Sequence, residues 1–303
     1  MSVIVLVPDE EGLTELAGLD GVQPVRFSWA EPLPPEAAKA EILIPATPMP
    51  EPGDLATAFP NLKLIQLLAA GAESWVDVVP EGVLLSNCRG AHGGSTAEWV
   101  VAVLLAVYRE LIDFAAAASE RRWNKHATDT LLGKRVLIVG AGDLGEELRR
   151  RLEPFDVSVT MVGTTARDGV HGVDELPELL PSHDAVVLMV PLTSRTRGMV
   201  DARFLAAMAD GAVLVNAARG PVVDTDALLA ELTAKRLRAA LDVTDPEPLP
   251  EDHPLWTAPG LLLTPHVGGV VRGGRGRAYA VAVREIERYL RGEQLHNLVH
   301  GEY

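Results

Sequence analysis

The chain carries a single cysteine, Cys88, in 303 residues, so no intrachain disulfide and no cysteine metal cluster can form. That fits a reducing compartment, and the cytoplasm is the expected location. Basic residues are also scarce, 27 Lys and Arg against 42 Asp and Glu, for a formal charge of −15. Such a surface lacks the general attraction for phosphates that nucleic-acid binding requires, so no nucleic-acid partner is expected. An anionic small ligand would instead need a local cationic pocket. Aromatic residues make up 5% of the chain, and Trp29, Trp75, Trp99, Trp123 and Trp256 read as packing residues rather than base-stacking platforms. The histidines show no metal-ligand spacing, so no metal site is expected. The one long apolar stretch, Ala97 to Ala118, includes Glu98, Arg109, Glu110 and Asp113, which points to a buried helix and not to a membrane span. The N-terminal MSVIVLVPDE lacks a preceding basic region and a small-residue cleavage site, and reads as a β-strand rather than a signal peptide.

What is present is apolar content, 48% of a length that suggests two domains. Short runs at Val3–Val7, Ile42–Ile44, Leu62–Leu67 and Val83–Ser86 form one series of expected strands. A cleaner series follows at Arg135–Val139, Val157–Val162, Ala185–Val190, Ala212–Asn216, Leu237–Leu241 and Leu261–Leu263. Near-continuous apolar runs are what parallel strands covered on both faces require. Helical segments such as Leu144–Leu152, Ala202–Met208 and Thr225–Lys235 lie between them, so the expected fold is α/β and doubly wound. The boundary between the two domains is expected near Gly94–Thr96, and residues 277–290 are again helical in pattern.

Residues 134–145 read KRVLIVGAGDLG, a strand followed by Gly140, Gly142 and Gly145 in GxGxxG spacing and then by helix formers. The first glycine permits a tight turn, the second lets the backbone approach a pyrophosphate, and the third lets the helix pack close to the strand. Asp143 and Leu144 open that helix, whose N-terminus favours phosphate. A bare GxGxxG says little, but strand before and helix after supply the context it needs. The next strand ends in Gly163-Thr164-Thr165-Ala166-Arg167, with no carboxylate before Asp168. An acid there would repel a 2′-phosphate, whereas Thr164, Thr165 and Arg167 offer donors to one, so NADP is the preferred cofactor and NAD the alternative.

Three later segments carry chemistry at the carboxyl ends of expected strands, where ligands bind in open α/β sheets. Arg219 follows one strand, Asp242 and Glu247 follow the next, and His266 follows the third. Hydride delivery to a ketone carbon builds negative charge on its oxygen; a protonated His266 would donate there, and its neutral form would remove the hydroxyl proton in reverse. Glu247 beside the imidazole would favour the imidazolium and fix its tautomer. Arg219 would hold a substrate carboxylate and polarise the carbonyl. Taken singly, each also reads as an ordinary surface or loop residue; three at successive strand ends beyond a nucleotide loop form a pattern.

These segments together resemble the D-isomer-specific 2-hydroxyacid dehydrogenase family, glyoxylate/hydroxypyruvate reductases included. The resemblance runs through NLKLIQLLAAGAE (61–73), NCRGAHGGSTAEWVVAVLLAVYREL (87–111), the glycine loop and VPLTSRTRGMVD (190–201). It continues through NAARGPVVD (216–224), ALDVTDPEPLP (240–250), HPLW (253–256) and LLTPHVGG (262–269). It implies a Rossmann dinucleotide-binding domain, residues 96–276, inserted in a flavodoxin-like substrate domain made of 1–95 and 277–303. It implies that Arg219, Glu247 and His266 are catalytic, that Asp242 lies near the nicotinamide amide and that Pro191 lies near the adenine. Ala217 and Gly268 would line the nicotinamide pocket, and backbone amides around Ala70 and Gly71 would bind the substrate carboxylate. A homodimer is the implied assembly. The sequence departs from the family pattern at His92, at ERRW before and including Trp123, and at Lys235-Arg236, none of which touches the three catalytic positions.

The expected activity is therefore hydride transfer between NAD(P)H and a small 2-keto acid to give a D-2-hydroxy acid. Two other readings stay open: a dinucleotide-sensing corepressor-like protein on the same scaffold, and a dehydrogenase of formate or phosphite. Cys88 reads as a small core residue with a reactive role as the minor alternative, and His92 as a surface-loop histidine rather than a cleft residue. Met49, in IPATPMP, is equally a cover for substrate or a loop packing residue.

Overall fold

Successive side chains of a strand point to opposite faces, so a strand without polar alternation needs apolar cover on both sides. The computed structural model describes residues 2–46 and 55–301, and it meets that requirement in two separate units, Met1–His92 with Arg272–Tyr303, and Gly93–Val271. These changeovers keep the helices Gly93–Tyr108 and Gly274–Leu290 whole, each within one unit. Met49 lies outside the described residues.

In the first unit β1 (Val3–Val7), β2 (Val22–Arg26), β3 (Ile42–Leu43), β4 (Leu64–Gln66) and β5 (Leu84–Ser86) pair in parallel in the order β2-β1-β3-β4-β5. This is the flavodoxin-like order, reversing between β1 and β3. Val5, Val7, Ile42 and Leu64 face Tyr279, Ala282 and Ile286 of the helix Gly274–Leu290, while Leu6, Leu43, Ile65 and Leu85 face Phe27, Phe59 and Trp75. Pro24 sits in the edge strand β2, the position where a missing N–H breaks no interior ladder. The opposite edge is covered by the chain's tail, with Asn87 N donating to Asn297 O at 3.1 Å and Val299 N to Leu85 O at 2.8 Å.

In the second unit β6 (Arg135–Val139), β7 (Ser158–Gly163), β8 (His171–Gly172), β9 (Ala185–Leu188), β10 (Val213–Asn216), β11 (Arg238–Leu241) and β12 (Leu261–Leu263) form one parallel sheet. Its order, β12-β11-β10-β9-β6-β7-β8, is the Rossmann order with an added strand, and it reverses between β6 and β9. Leu137, Val139, Val186, Leu188 and Leu214 face one core with Phe204, Leu205, Leu228 and Leu232; Val136, Ile138, Val187 and Val215 face another with Val100, Leu104, Leu148 and Leu152. The doubly wound, two-domain α/β expectation holds.

One expected element is corrected. The stretch Ala97 to Ala118 is not one buried helix but two, Gly93–Tyr108 and Leu111–Ser119, separated at Glu110 with φ of 49°. The first helix ends where the Tyr108 hydroxyl is fixed by the Asp184 carbonyl at 3.0 Å, and the chain then turns. The second helix, whose one charged residue is Asp113, buries only Ala117 and leaves Leu111 and Ile112 exposed. No helix of the described residues is long and apolar enough to cross a membrane.

Candidate active site

Sheet register decides which loops meet. Val139 pairs with Val162 and Leu188, Leu188 with Asn216, Asn216 with Leu241, and Leu241 with Leu263. The segments that follow these residues therefore leave the second sheet along one edge, its carboxyl edge. Every candidate residue of this unit lies on those segments or at the start of the helix Asp143–Leu152.

The glycine loop fits a dinucleotide on its own geometry. Gly140 has φ of 119°, and a Cβ there would stand 2.3 Å from the Met189 carbonyl oxygen. A Cβ on Gly145 would stand 2.0 Å from the Gly140 oxygen, so helix and turn are in contact. Around Gly142 nothing lies within 4 Å of the Cβ position, and no side chain caps the helix that Asp143 and Leu144 begin. Bare backbone beside a helix N-terminus is the arrangement that accepts phosphate. Thr164 and Thr165 are exposed beyond β7. Arg167 folds back over the end of β7: its Nη2 donates to Ala141 O at 2.9 Å, and its backbone exchanges hydrogen bonds with Val170 around a tight turn. Pro191 is exposed beyond β9, with its carbonyl accepting the Thr196 hydroxyl at 2.6 Å.

Beyond β10, Asn216 holds the next turn from inside the strand. Its side chain accepts from Ala218 N at 3.0 Å and donates to Arg219 O at 3.0 Å, while Ala217 N reaches Leu188 O at 3.2 Å. Arg219 Nη1 donates to Ala218 O at 2.7 Å, which sets the start of the guanidinium's path. Gly220 then passes so near the next loop that a Cβ would lie 1.9 Å from Thr244 O. The loops carrying Arg219 and Glu247 are thus in direct backbone contact.

Asp242, 4% exposed, acts on the His266 loop. One of its carboxylate oxygens accepts from the Thr264 hydroxyl at 2.6 Å and Val267 N at 2.8 Å; the other accepts from Gly268 N at 2.7 Å. Its backbone oxygen accepts from His266 N at 2.7 Å. Left-handed backbone at a non-glycine residue costs about 1–3 kcal/mol, and His266 has φ of 53°. Each hydrogen bond to a charged acceptor contributes roughly 1.5–3 kcal/mol, so three of them hold that conformation. A Cβ on Gly268 would stand 2.9 Å from the same carboxylate, which accounts for glycine there.

His266 Nδ1 lies 2.6 Å from Glu247 Oε1, with the two side chains 45% and 42% exposed. An ionised carboxylate only accepts, so Nδ1 carries the proton and the neutral ring has Nε2 free of hydrogen, the tautomer a general base needs. The structure brings Glu247 and His266 together, ties Asp242 to the His266 loop, and sets Arg167 against the glycine loop. Thr264, Asn216 and Gly220 were not read from the sequence. A polar Asn ending a buried apolar strand is the one signal that pointed there.

Ala70 and Gly71 follow β4 in the first unit. Ala69 O accepts from Cys88 N at 2.9 Å, Ala70 O from Asn87 Nδ2 at 2.8 Å, and Leu68 O from His92 Nε2 at 2.9 Å. His92 is thus half-buried and bonded rather than a surface-loop residue. Cys88 is fully buried, and burial pushes its thiol up to about 12, the behaviour of a core residue. Among the described residues no three His, Cys, Asp or Glu side chains gather as a metal would need.

Comparison with known proteins adds the lineage. Residues 101–268, more than half of the chain, match the family model described as D-isomer specific 2-hydroxyacid dehydrogenase, NAD binding domain. A glyoxylate reductase of Thermofilum pendens is 33% identical over 262 residues, 81% of this chain and 77% of its own. A D-isomer specific 2-hydroxyacid dehydrogenase from Xanthobacter autotrophicus Py2, solved with NADPH and MES, is similar at a TM-score of 0.87 and 30% identity, covering 99% of this chain and 98% of that one. An NADPH-dependent glyoxylate/hydroxypyruvate reductase from Sinorhizobium meliloti, solved with NADP and sulfate, gives 0.85 and 25% with the same coverage. With the glycine loop and the strand-end residues in place, the chain belongs to the D-isomer-specific 2-hydroxyacid dehydrogenases, a family of NAD(P)-dependent oxidoreductases.

Proposed function

We propose that this protein reduces a small 2-keto acid of the glyoxylate or hydroxypyruvate kind to the D-2-hydroxy acid, with NADPH preferred over NADH. The observation that carries the reading is the 2.6 Å pair of His266 Nδ1 and Glu247 Oε1 on the same sheet edge as the glycine loop. When bound, the nicotinamide supplies the hydride. Gly140, Gly142 and Gly145 would hold its pyrophosphate with the N–H groups of Asp143 and Leu144, Pro191 would lie by the adenine, and Ala217 and Gly268 by the nicotinamide with Asp242 behind them.

In the reducing direction the imidazolium form of His266, protonated on both ring nitrogens, gives its Nε2 proton to the carbonyl oxygen as charge develops there, and Glu247 keeps the ring in the orientation for that transfer. Arg219 takes the carboxylate and draws electron density from the adjacent carbonyl. In the first unit, the N–H groups of Ala70 and Gly71 offer two neutral donors to a carboxylate. The preference for NADPH rests on the turn after β7, where Arg167 is set by Ala141 and Val170 and the chain has no acid from 164 to 167. A 2′-phosphate gains a charge-assisted partner there. The exposed Leu111 and Ile112 favour a homodimer, because a second copy would cover them.

The test is NADPH and NADH oxidation with a panel of 2-keto acids near neutral pH. The expected result is turnover of at least one short keto acid, faster with NADPH. Oxidation of formate or phosphite, or tight dinucleotide binding without any turnover, would overturn the reading.

A further inference from the structure

Peptide planes have a back and a front. In a trans peptide the C=O of one residue and the N–H of the next point in opposite directions, so pinning the oxygen aims the hydrogen. In the first unit two successive planes are pinned from the same side. Ala69 O accepts from Cys88 N, and Ala70 O accepts from Asn87 Nδ2. The N–H groups of Ala70 and Gly71 are therefore turned away from the Asn87–Cys88 segment. Neither donates to a backbone carbonyl among the described residues.

Asn87 is built to hold that direction. It is 2% exposed, its Oδ1 accepts from Arg89 N at 3.1 Å, and its backbone N–H donates to Asn297 O at 3.1 Å. Its backbone carbonyl accepts from Gln66 Nε2 at 3.1 Å. Gln66 is fully buried, and its Oε1 has no partner among the described residues. Burying half of an amide unsatisfied costs stability, so the N–H side of Gln66, which braces Asn87, is the part that the fold uses. A hydrogen bond accepted by Ala70 O also polarises the peptide and makes Gly71 N–H a stronger donor.

We infer that Asn87 is a positioning residue: through Ala70 O it orients the Gly71 N–H, next to that of Ala70, as a cradle for the substrate carboxylate. This rests on the keto-acid reading above. Asn87 touches no substrate itself. Its effect is on where two neutral donors point, and hence on binding the anion equally in ground and transition states.

The experiment compares Asn87→Asp, Asn87→Ser and Asn297→Ala with the unmodified enzyme, using the keto acid that it turns over. Asp and Ser both keep an acceptor for Arg89 N, but an ionised Asp has no hydrogen to give Ala70 O and Ser is too short to reach it. Both should raise KM for the keto acid on the order of 10- to 100-fold, with kcat and the KM for NADPH retained. Asn297→Ala removes a different bond of the same cluster, Asn297 Nδ2 to Arg89 O at 3.0 Å, and should leave KM unchanged. Unchanged KM in both Asn87 variants overturns the inference, and so does an equal rise in Asn297→Ala, which would mark a general loss of packing. Should the unmodified protein turn over no keto acid, the functional reading falls separately. Oxalate binding by calorimetry with NADPH present then decides: loss in the Asn87 variants alone upholds the cradle, and absence of binding in the unmodified protein overturns it.

Discussion

The two parallel sheets end in edges of opposite character. The carboxyl edge of the seven-stranded sheet presents ionisable side chains, with Glu247 and His266 both more than 40% exposed and hydrogen-bonded to each other. On the corresponding segments of the five-stranded sheet the backbone is held chiefly by buried neutral amides, Asn87 Nδ2 donating to Ala70 O and Gln66 Nε2 to Asn87 O. The difference follows from what each is proposed to do. A proton in transit needs a group that changes charge. A spectator carboxylate needs fixed donors that never change charge, and backbone N–H groups meet that need without the desolvation cost of a buried cation.

That contrast can be broken most sharply at His266. His266→Ala should lower kcat by about 10²–10⁴-fold while dinucleotide affinity, read by fluorescence titration, is retained. A change confined to KM would erase the distinction between the edges. Glu247→Gln comes next. Removing a buried orienting carboxylate costs about 10⁴-fold in a serine protease, and a half-exposed one should cost less, again in kcat. Arg167→Ala should raise the KM for NADPH by about 10-fold and leave that for NADH alone, since one charge-assisted hydrogen bond is at stake. An equal change for both cofactors would remove Arg167 from cofactor choice.

The smallest effect lies in the first unit. With its thiol pushed up to about 12 by burial, Cys88 should resist alkylation in the native state at mildly alkaline pH and react fully once the chain unfolds. The sign of the linked stability follows. The folded chain keeps the proton that the unfolded chain sheds above about 8.5, so this group's contribution is complete below that pH and declines as pH rises above it. Rapid native labelling would contradict the burial.

Much of this was legible in the residues. Unbroken apolar runs such as those at β9 and β10 exposed both the strands and the parallel sheet, and their ends located Arg219, Asp242, Glu247 and His266. The strands β2 and β8 were missed. The first carries Pro24 and is partly exposed, and the second is the pair His171–Gly172, too short for any period to register. The break at Glu110 was hidden because apolar residues continue across it. The supports of the site were hidden for another reason. Asn87 reaches Ala70 across 17 residues, Thr264 reaches Asp242 across 22, and Asp242 reaches Val267 across 25. Contacts at such separations leave no periodicity, and only folding reveals them. Asp242 shows the difference well: its position at a strand end was readable, whereas its grip on the His266 loop was not.

The glycines divide this architecture into what drift can alter and what it cannot. At positions 140, 145, 220 and 268 an added carbon would collide with backbone or with the Asp242 carboxylate. Thr164, Thr165 and Asp168, on the turn after β7, are exposed. On the proposed reading, a lineage built on this scaffold would exchange one dinucleotide for another by a few substitutions in that turn, while the loops around the proposed proton-transfer pair stayed locked behind places where no side chain fits.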